Sequence, residues 1–154
     1  MSLRFFVHGV ATPKGSTRAF YAKRLHRVFI TNDNAKTKPW QQAIRAEAYQ
    51  ALGGKEPTTE PVSVEIEFVF SRPKAHYRAN GDVKPKAPSP HTKKPDLDKL
   101  ERAVLDGMTG LVFVDDSQVC RLFARKRYAE KGESPGADVT VTFDAKPLDE
   151  VSAA

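Results

Sequence analysis

Cysteine is almost missing from this chain. A single residue, Cys120, can form no internal disulfide and cannot anchor a cysteine-rich zinc site, so a small buried apolar role is expected for it. The four histidines, His8, His26, His76 and His91, stand at no spacing typical of zinc ligands. Long apolar runs are missing too: nothing approaches the roughly 20 residues of a membrane-spanning helix. The opening Met1 to Val7 is too short for a secretory core segment and has no small-residue cleavage site behind it, so a cytoplasmic protein without a membrane partner is expected. No repeat or low-complexity tract is visible. Acids are scarce in one place, since Asp82 is the only one between Arg72 and Lys94, against Arg72, Lys74, Arg78, Lys84, Lys86, Lys93 and Lys94.

What is present fits one soluble domain. The 154 residues are 40% hydrophobic and 29% charged, enough for a core and too short for two catalytic domains. Twenty-five Lys and Arg against 19 Asp and Glu leave a net charge of +6, which suits a polyanionic partner. A single domain is expected over residues 1–144, with residues 145–154 as a frayed tail.

Periodicity supplies the elements. Leu3, Phe5 and Val7 alternate as a first strand ended by Gly9. Residues 19–21 and 28–31 flank Lys23-Arg24-Leu25-His26-Arg27, which predicts a two-stranded arm with a positive tip. Pro39 suits a first helical turn, and Trp40, Ile44, Ala48 and Leu52 keep helical spacing until Gly53-Gly54. Val62, Val64, Ile66, Phe68 and Phe70 alternate as a strand. Between Ser71 and Pro95 lie four further prolines and no apolar period, a long loop of the kind that is functional or disordered. Leu97, Leu100, Val104 and Met108 form a second helical stripe, followed by turn chemistry at Asp115-Asp116-Ser117 and strands at 119–128 and 139–143. The order predicts an α+β fold: a mixed β-sheet with two main helices packed on one face.

The chemistry is concentrated in Lys93-Lys94-Pro95-Asp96-Leu97-Asp98-Lys99-Leu100 and in Asp115-Asp116. If the extended conformation that Pro95 imposes on Lys94 persists to Asp98, Asp96 and Asp98 point to one side while Leu97 turns into the core. Two nearby carboxylates repel unless a cation lies between them, and oxygen ligands without His or Cys favour Mg²⁺ or Mn²⁺. Taken singly, each acid also fits a helix cap or a turn, with Asp98 a good N-cap. Taken together they are an acidic focus in a positive field, as a metal-dependent phosphodiesterase requires.

The run from Lys94 to Leu100, the helix through Asp106-Gly-Met-Thr-Gly110 and the segment Val114-Asp-Asp-Ser-Gln-Val119 resemble the RusA family of Holliday-junction resolvases, often phage-borne. Looser similarity extends to the loop from Gly9 to Arg18, to Thr37-Lys-Pro-Trp40 and to the segments at Arg72 and His91. The resemblance implies a RusA-like homodimer that cuts four-way DNA junctions by paired, Mg²⁺-dependent nicks in recombination and repair. It makes Asp96, Asp98 and Asp116 the metal-binding and catalytic carboxylates, with Asp115 in support. Lys99 stands where the family pattern has Asn, and Arg102 where it has a functional lysine. Arg102, one turn beyond Asp98, can stabilise phosphorane-like charge or pair with Asp98 or Asp106, but cannot give up its proton. Lys99 is a further candidate for phosphate.

Candidate DNA contacts are Lys14, Arg18, Arg72, Lys74, His91, Lys93 and Lys94, with Arg121, Arg125 and Arg127 as the floor of a groove or as a charged sheet edge. The expected partners are branched double-stranded DNA and a second copy of the chain, with no organic cofactor. The alternatives are a nuclease of flaps, forks or duplex, a DNA-binding module without catalysis, and a phage packaging protein. The last of these leaves the acidic focus unexplained.

Overall fold

A computed structural model of the chain describes residues 1–15, 17–32 and 35–143. The expected tail at 145–154 lies outside them. The elements are strand β1 (Ser2–His8), strands β2 (Thr17–Ala22) and β3 (Arg27–Asn32), helix α1 (Thr37–Leu52), strand β4 (Val62–Phe70), helix α2 (Leu97–Met108), strand β5 (Val119–Tyr128) and strand β6 (Gly136–Phe143). Single 3-10 turns occupy Lys74–His76 and Asp116–Gln118.

The main sheet runs β1-β6-β4-β5, while β2 and β3 form a separate pair. β6 is antiparallel to both β1 and β4, whereas β5 lies parallel to β4, so the sheet is mixed, as the element order predicts. A parallel neighbour needs a crossover, and here residues 71–96 followed by α2 provide it.

Both helices cover one face of the sheet. Trp40, Ile44, Ala48 and Leu52 of α1 and Leu100, Val104 and Met108 of α2 pack with Phe5, Val64, Ile66, Phe68, Val139 and Val141 in one core. α1 ends where Gly53 takes the left-handed conformation at φ 60°, which glycine adopts without a Cβ penalty. The helices cross closely at Gly107, where a Cβ would lie 3.0 Å from Ile44 Cγ2.

The opposite face of the sheet carries paired charges. Arg4 holds Asp138 through two hydrogen bonds of 3.1 and 2.6 Å, and Glu67 accepts from both Arg125 and Arg127. Arg127 also grips Glu133 with two bonds of 2.6 and 2.7 Å. Those bonds hold the Glu133 carboxyl down at about 2; burial opposes the effect and the Glu130 amide adds to it.

A depressed carboxylate stabilises the fold fully above its ordinary pKa of 4.5 and loses that contribution as pH falls toward 2. The Glu133 side chain is 32% exposed, so solvent screening limits the contribution to about 1 kcal/mol. Glu133→Gln is therefore expected to lower stability by about 1 kcal/mol at neutral pH, with the gap to the parent closing between pH 4.5 and 2 in urea unfolding. A gap that stays constant over that range would show that the pairing carries no charge-linked stability.

Two expectations change. Cys120 is exposed near the start of the edge strand β5 rather than buried, because only one side of β5 has a strand partner there. The loop at 71–95 has a defined course, although its sequence has no apolar period. Its backbone follows the far end of β5, with His91 N donating to Lys126 O at 3.2 Å and Tyr128 N donating to Ser89 O at 2.8 Å. Arg72 and His91 fasten it from inside. Buried Arg72 donates to the carbonyls of Ala129 and Pro88, both at 2.7 Å, and lies 5.5 Å from the centre of the Tyr128 ring. His91 stacks on Phe70 at 4.2 Å and meets Tyr128 edge-on at 4.9 Å.

Candidate active site

The cluster around Asp96 is built by the junction of the loop with α2. The Lys94–Pro95 peptide is cis, and Asp96 stays extended at φ −70°, ψ 140° as the residue before the helix. Asp96, not Asp98, therefore holds the N-cap position, although its side chain makes no capping bond. Leu97 is already helical, so the extended run ends before Asp98, which lies exposed in the first turn. A carboxylate there is favoured by the positive end of the helix dipole.

Lys126 fixes this corner from β5. Its Nζ donates to the carbonyls of Lys93 and Pro95 at 2.5 and 2.7 Å, so the backbone entering Asp96 is tied to the sheet. Sequence reading did not single out Lys126, because nothing local to it points to residues so far back in the chain. Glu101 was also passed over. It is half-buried one turn beyond Asp98, and burial first, then the Asp98 carboxylate, push its pKa above the usual range. The i, i+3 spacing of Asp98 and Glu101 was the signal that could have revealed it.

Cations surround the corner. Lys94 Nζ lies 3.4 Å from an Asp96 oxygen, and Lys93 and Lys99 are exposed. A cleft of about 450 Å³ opens beside Asp96, walled by Val10, Pro13, Pro95, Lys94 and Lys99. The loop after β1 forms its other wall, held where Lys14 N donates to Lys99 O at 3.1 Å and Lys14 Nζ pairs with Asp106 at 2.8 Å. The Lys14 charge is thus already engaged by a carboxylate of α2. Arg102 is exposed and makes no ion pair with Asp98 or Asp106.

Asp115 and Asp116 lie elsewhere. Asp115 caps the 3-10 turn by accepting from Ser117 N and Ser117 Oγ, while its own amide donates to Gln118 Oε1 at 2.9 Å, completing a capping box. The Ser117 hydroxyl and amide hold the Asp115 carboxyl below its usual pKa. Gln118 anchors the turn by donating to the carbonyls of Thr58 and Glu60, both at 2.9 Å. Asp115 therefore shapes the turn, leaving Asp116 exposed upon it.

The two acidic groups stand at opposite ends of α2. The helix has 12 residues, and at about 1.5 Å each its length is roughly 18 Å. The sheet agrees: β5 begins beside Asp116 and reaches the Asp96 corner only at Lys126, roughly 23 Å along the strand at about 3.3 Å per residue. Within one chain the acids do not fit a metal centre, and among the described residues no three His, Cys, Asp or Glu side chains gather to hold an ion.

The basic candidates divide. Lys74, Lys93 and Lys94 are exposed on the loop. Arg72 and His91 are corrected: both are buried, and Arg72 spends its donors on backbone carbonyls, so they order the loop instead of facing DNA. Burial, with Lys126 nearby, pushes the His91 pKa down. Arg121 and Arg125 project from β5 on the open sheet face, where Glu67 neutralises Arg125 and Arg127. Arg18 lies on β2, with its side chain outside what the structure describes.

A family model described as endodeoxyribonuclease RusA matches residues 11–142, a span holding both acidic segments. An uncharacterised protein of Bacillus subtilis (strain 168), YqaN, is 29% identical over 131 residues, which cover 84% of this chain and 89% of that protein. Among the described residues no helix is long and apolar enough to cross a membrane.

Proposed function

This chain belongs to the RusA family of endodeoxyribonucleases, and from that premise we propose that it resolves four-way DNA junctions by paired symmetric nicks, as a Mg²⁺-dependent homodimer acting in recombination and repair. The observation that carries the reading is the pair of half-buried Asp96 and exposed Asp98 at the head of α2, beside the exposed Lys93, Lys94 and Lys99, inside the family match.

The separation of the acids supports the dimer. Among the described residues, β5 is an edge strand whose outer side is covered by the loop only from Lys126 onward. Ahead of that cover, Val114, Leu122 and Phe123 are exposed, Phe123 by 61%. Uncovered edges with apolar side chains favour pairing with another chain. A two-fold axis through the middle of β5 carries Asp116 of one copy toward Asp96 and Asp98 of the other, and gives two sites related by the symmetry of the junction. Mg²⁺, or Mn²⁺ in its place, belongs to this two-copy arrangement.

When bound, such an ion supplies a water of lowered pKa and a counter-charge to the phosphate. The chain's own groups bind and orient. Lys93, Lys94 and Lys99 hold the backbone phosphates on either side of the cut, contacts that carry shape rather than sequence. Arg102, exposed and one turn from Asp98, stabilises the charge that grows on the phosphate oxygens and stays protonated throughout. Water attacks phosphorus and gives up its proton to solvent, the bond to the 3′ oxygen breaks, and that oxygen takes a proton from solvent, leaving 5′-phosphate and 3′-hydroxyl ends.

The test is an end-labelled synthetic four-way junction incubated with the purified protein, with Mg²⁺ or with EDTA, beside a linear duplex, a flap and a fork of matched sequence. Symmetric, ion-dependent nicks in the junction alone are expected. Preferred cutting of flaps or forks would reassign the substrate, and tight junction binding without any cleavage would leave a binding module.

A further inference from the structure

The β2–β3 arm takes no part in the sheet or in the site described above. It forms its own two-stranded sheet, and among the described residues it shares no extensive packing with another element. Isolated hairpins are marginal in water, so an arm of this form gains stability from a surface to lie against. Residues 17–32 contain four Lys and Arg and no acid. The tip is built, not loose: Leu25 N donates to Ala22 O at 3.1 Å, His26 takes the left-handed conformation at φ 47°, and the Tyr21 hydroxyl meets His26 Nδ1 at 3.1 Å. Around it Lys23, Arg24 and Arg27 are exposed, as are Tyr21, Leu25 and Val28, at 56%, 62% and 65%. Tyr21 and Val28 are direct cross-strand partners and so share one face of the ribbon.

The root of the arm is anchored beside Asp96. The segment leading into β2 is held by Lys14 N on Lys99 O and by the Thr37 hydroxyl, which donates to Pro13 O at 2.8 Å. The ribbon therefore leaves the body next to the candidate site.

We propose that this arm is a DNA-groove element: it lies in the major groove of the duplex leaving the cleavage site, with Lys23, Arg24 and Arg27 on the flanking phosphates and Tyr21 and Val28 toward the bases. A two-stranded ribbon fits the major groove. The occupant is chosen by charge. An arm without acids is attracted to a polyanion and repelled by a second copy of a chain whose net charge is +6. Six-residue strands at about 3.3 Å per residue span roughly 20 Å, or about six base pairs.

The inference rests on the junction-nuclease reading and deepens it. Its test compares the full-length protein with the triple variant Lys23→Gln, Arg24→Gln, Arg27→Gln, and with a second variant in which Asn-Gly replaces residues 23–26 and shortens the tip. Binding to a labelled four-way junction and to a linear duplex is measured in EDTA between about 50 and 200 mM salt. The triple variant is expected to lower the slope of log affinity against log salt by about 2 to 3, as loss of three phosphate contacts requires. The shortened variant keeps both strands and removes Lys23 and Arg24, so it is expected to lower the slope by about 2 and to lose the tip-proximal part of the roughly six base pairs that the arm protects in a footprint. An unchanged slope with an unchanged footprint overturns the inference while the parent still cuts junctions. An unchanged slope with an altered assembly mass overturns it in favour of arm exchange between copies. A parent that binds neither DNA overturns the nuclease reading as well.

Discussion

Asp98→Asn is expected to cut junction cleavage by at least about a thousandfold while leaving junction binding in EDTA as tight as before or tighter. Asparagine keeps the shape of the side chain and removes the charge, which is what a cation site or a developing phosphate charge responds to. The fold should survive: Asp98 is exposed and makes no capping bond, so the loss is limited to its interaction with the helix dipole, about 0.3 to 1 kcal/mol. The stronger form of the test uses a second variant, Asp116→Asn, equally inactive alone. If the acids act across two copies, a mixed dimer made by co-expression has one site with both substitutions and one with none. A cruciform plasmid would then be nicked by the mixture but not linearised. If the acids act within one chain, every copy is defective and the mixture stays dead. Cleavage retained by Asp98→Asn would remove Asp98 from the site altogether.

The largest structural effect is expected at Gly136. A Cβ there would lie 2.2 Å from Val7 O and 2.6 Å from two atoms of the Phe6 ring. Gly136 sits between His8 of β1 and Val69 of β4, so backbone is held by hydrogen-bonded strands on both sides and cannot step aside. Overlap with backbone in a paired strand belongs at the upper end of overpacking costs, so Gly136→Ala should lose more than about 3 kcal/mol. For a chain of this size that is a fall in Tm of roughly 10 °C, readable by calorimetry. A shift within about 2 °C would mean that the β1 edge of the sheet yields far more easily than its pairing implies.

Local pattern carried much of the fold. The alternation from Val62 to Phe70, the apolar stripes of α1 and α2 and the positive tip of the arm are short-range signals, and each corresponds to an element of that kind. What escaped depends on distant partners. Arg72 and His91 sit in a proline-rich basic loop and read as solvent-facing, but Tyr128 of β5 gives both a surface to pack against. Cys120 reads as buried because it lies in a strand, and its exposure follows only from the position of β5 at the sheet edge. The candidate acids were legible as residue types and not as a site. Their separation is set by the parallel pairing of β4 with β5, which no spacing between Asp98 and Asp116 reveals.

The open sheet face, with Arg4, Arg125 and Arg127 each held by an acid, leaves much of the surplus positive charge to the arm, to the basic loop at 71–95 and to the lysines around Asp96. A surplus kept to one side gives the molecule an electric dipole as well as a net charge. Near DNA that dipole feels a torque as well as a pull, so the protein is turned lysine-side first before any contact forms. Orientation then ceases to be a matter of chance collisions, and added salt should slow encounter more than the count of contacting cations alone requires.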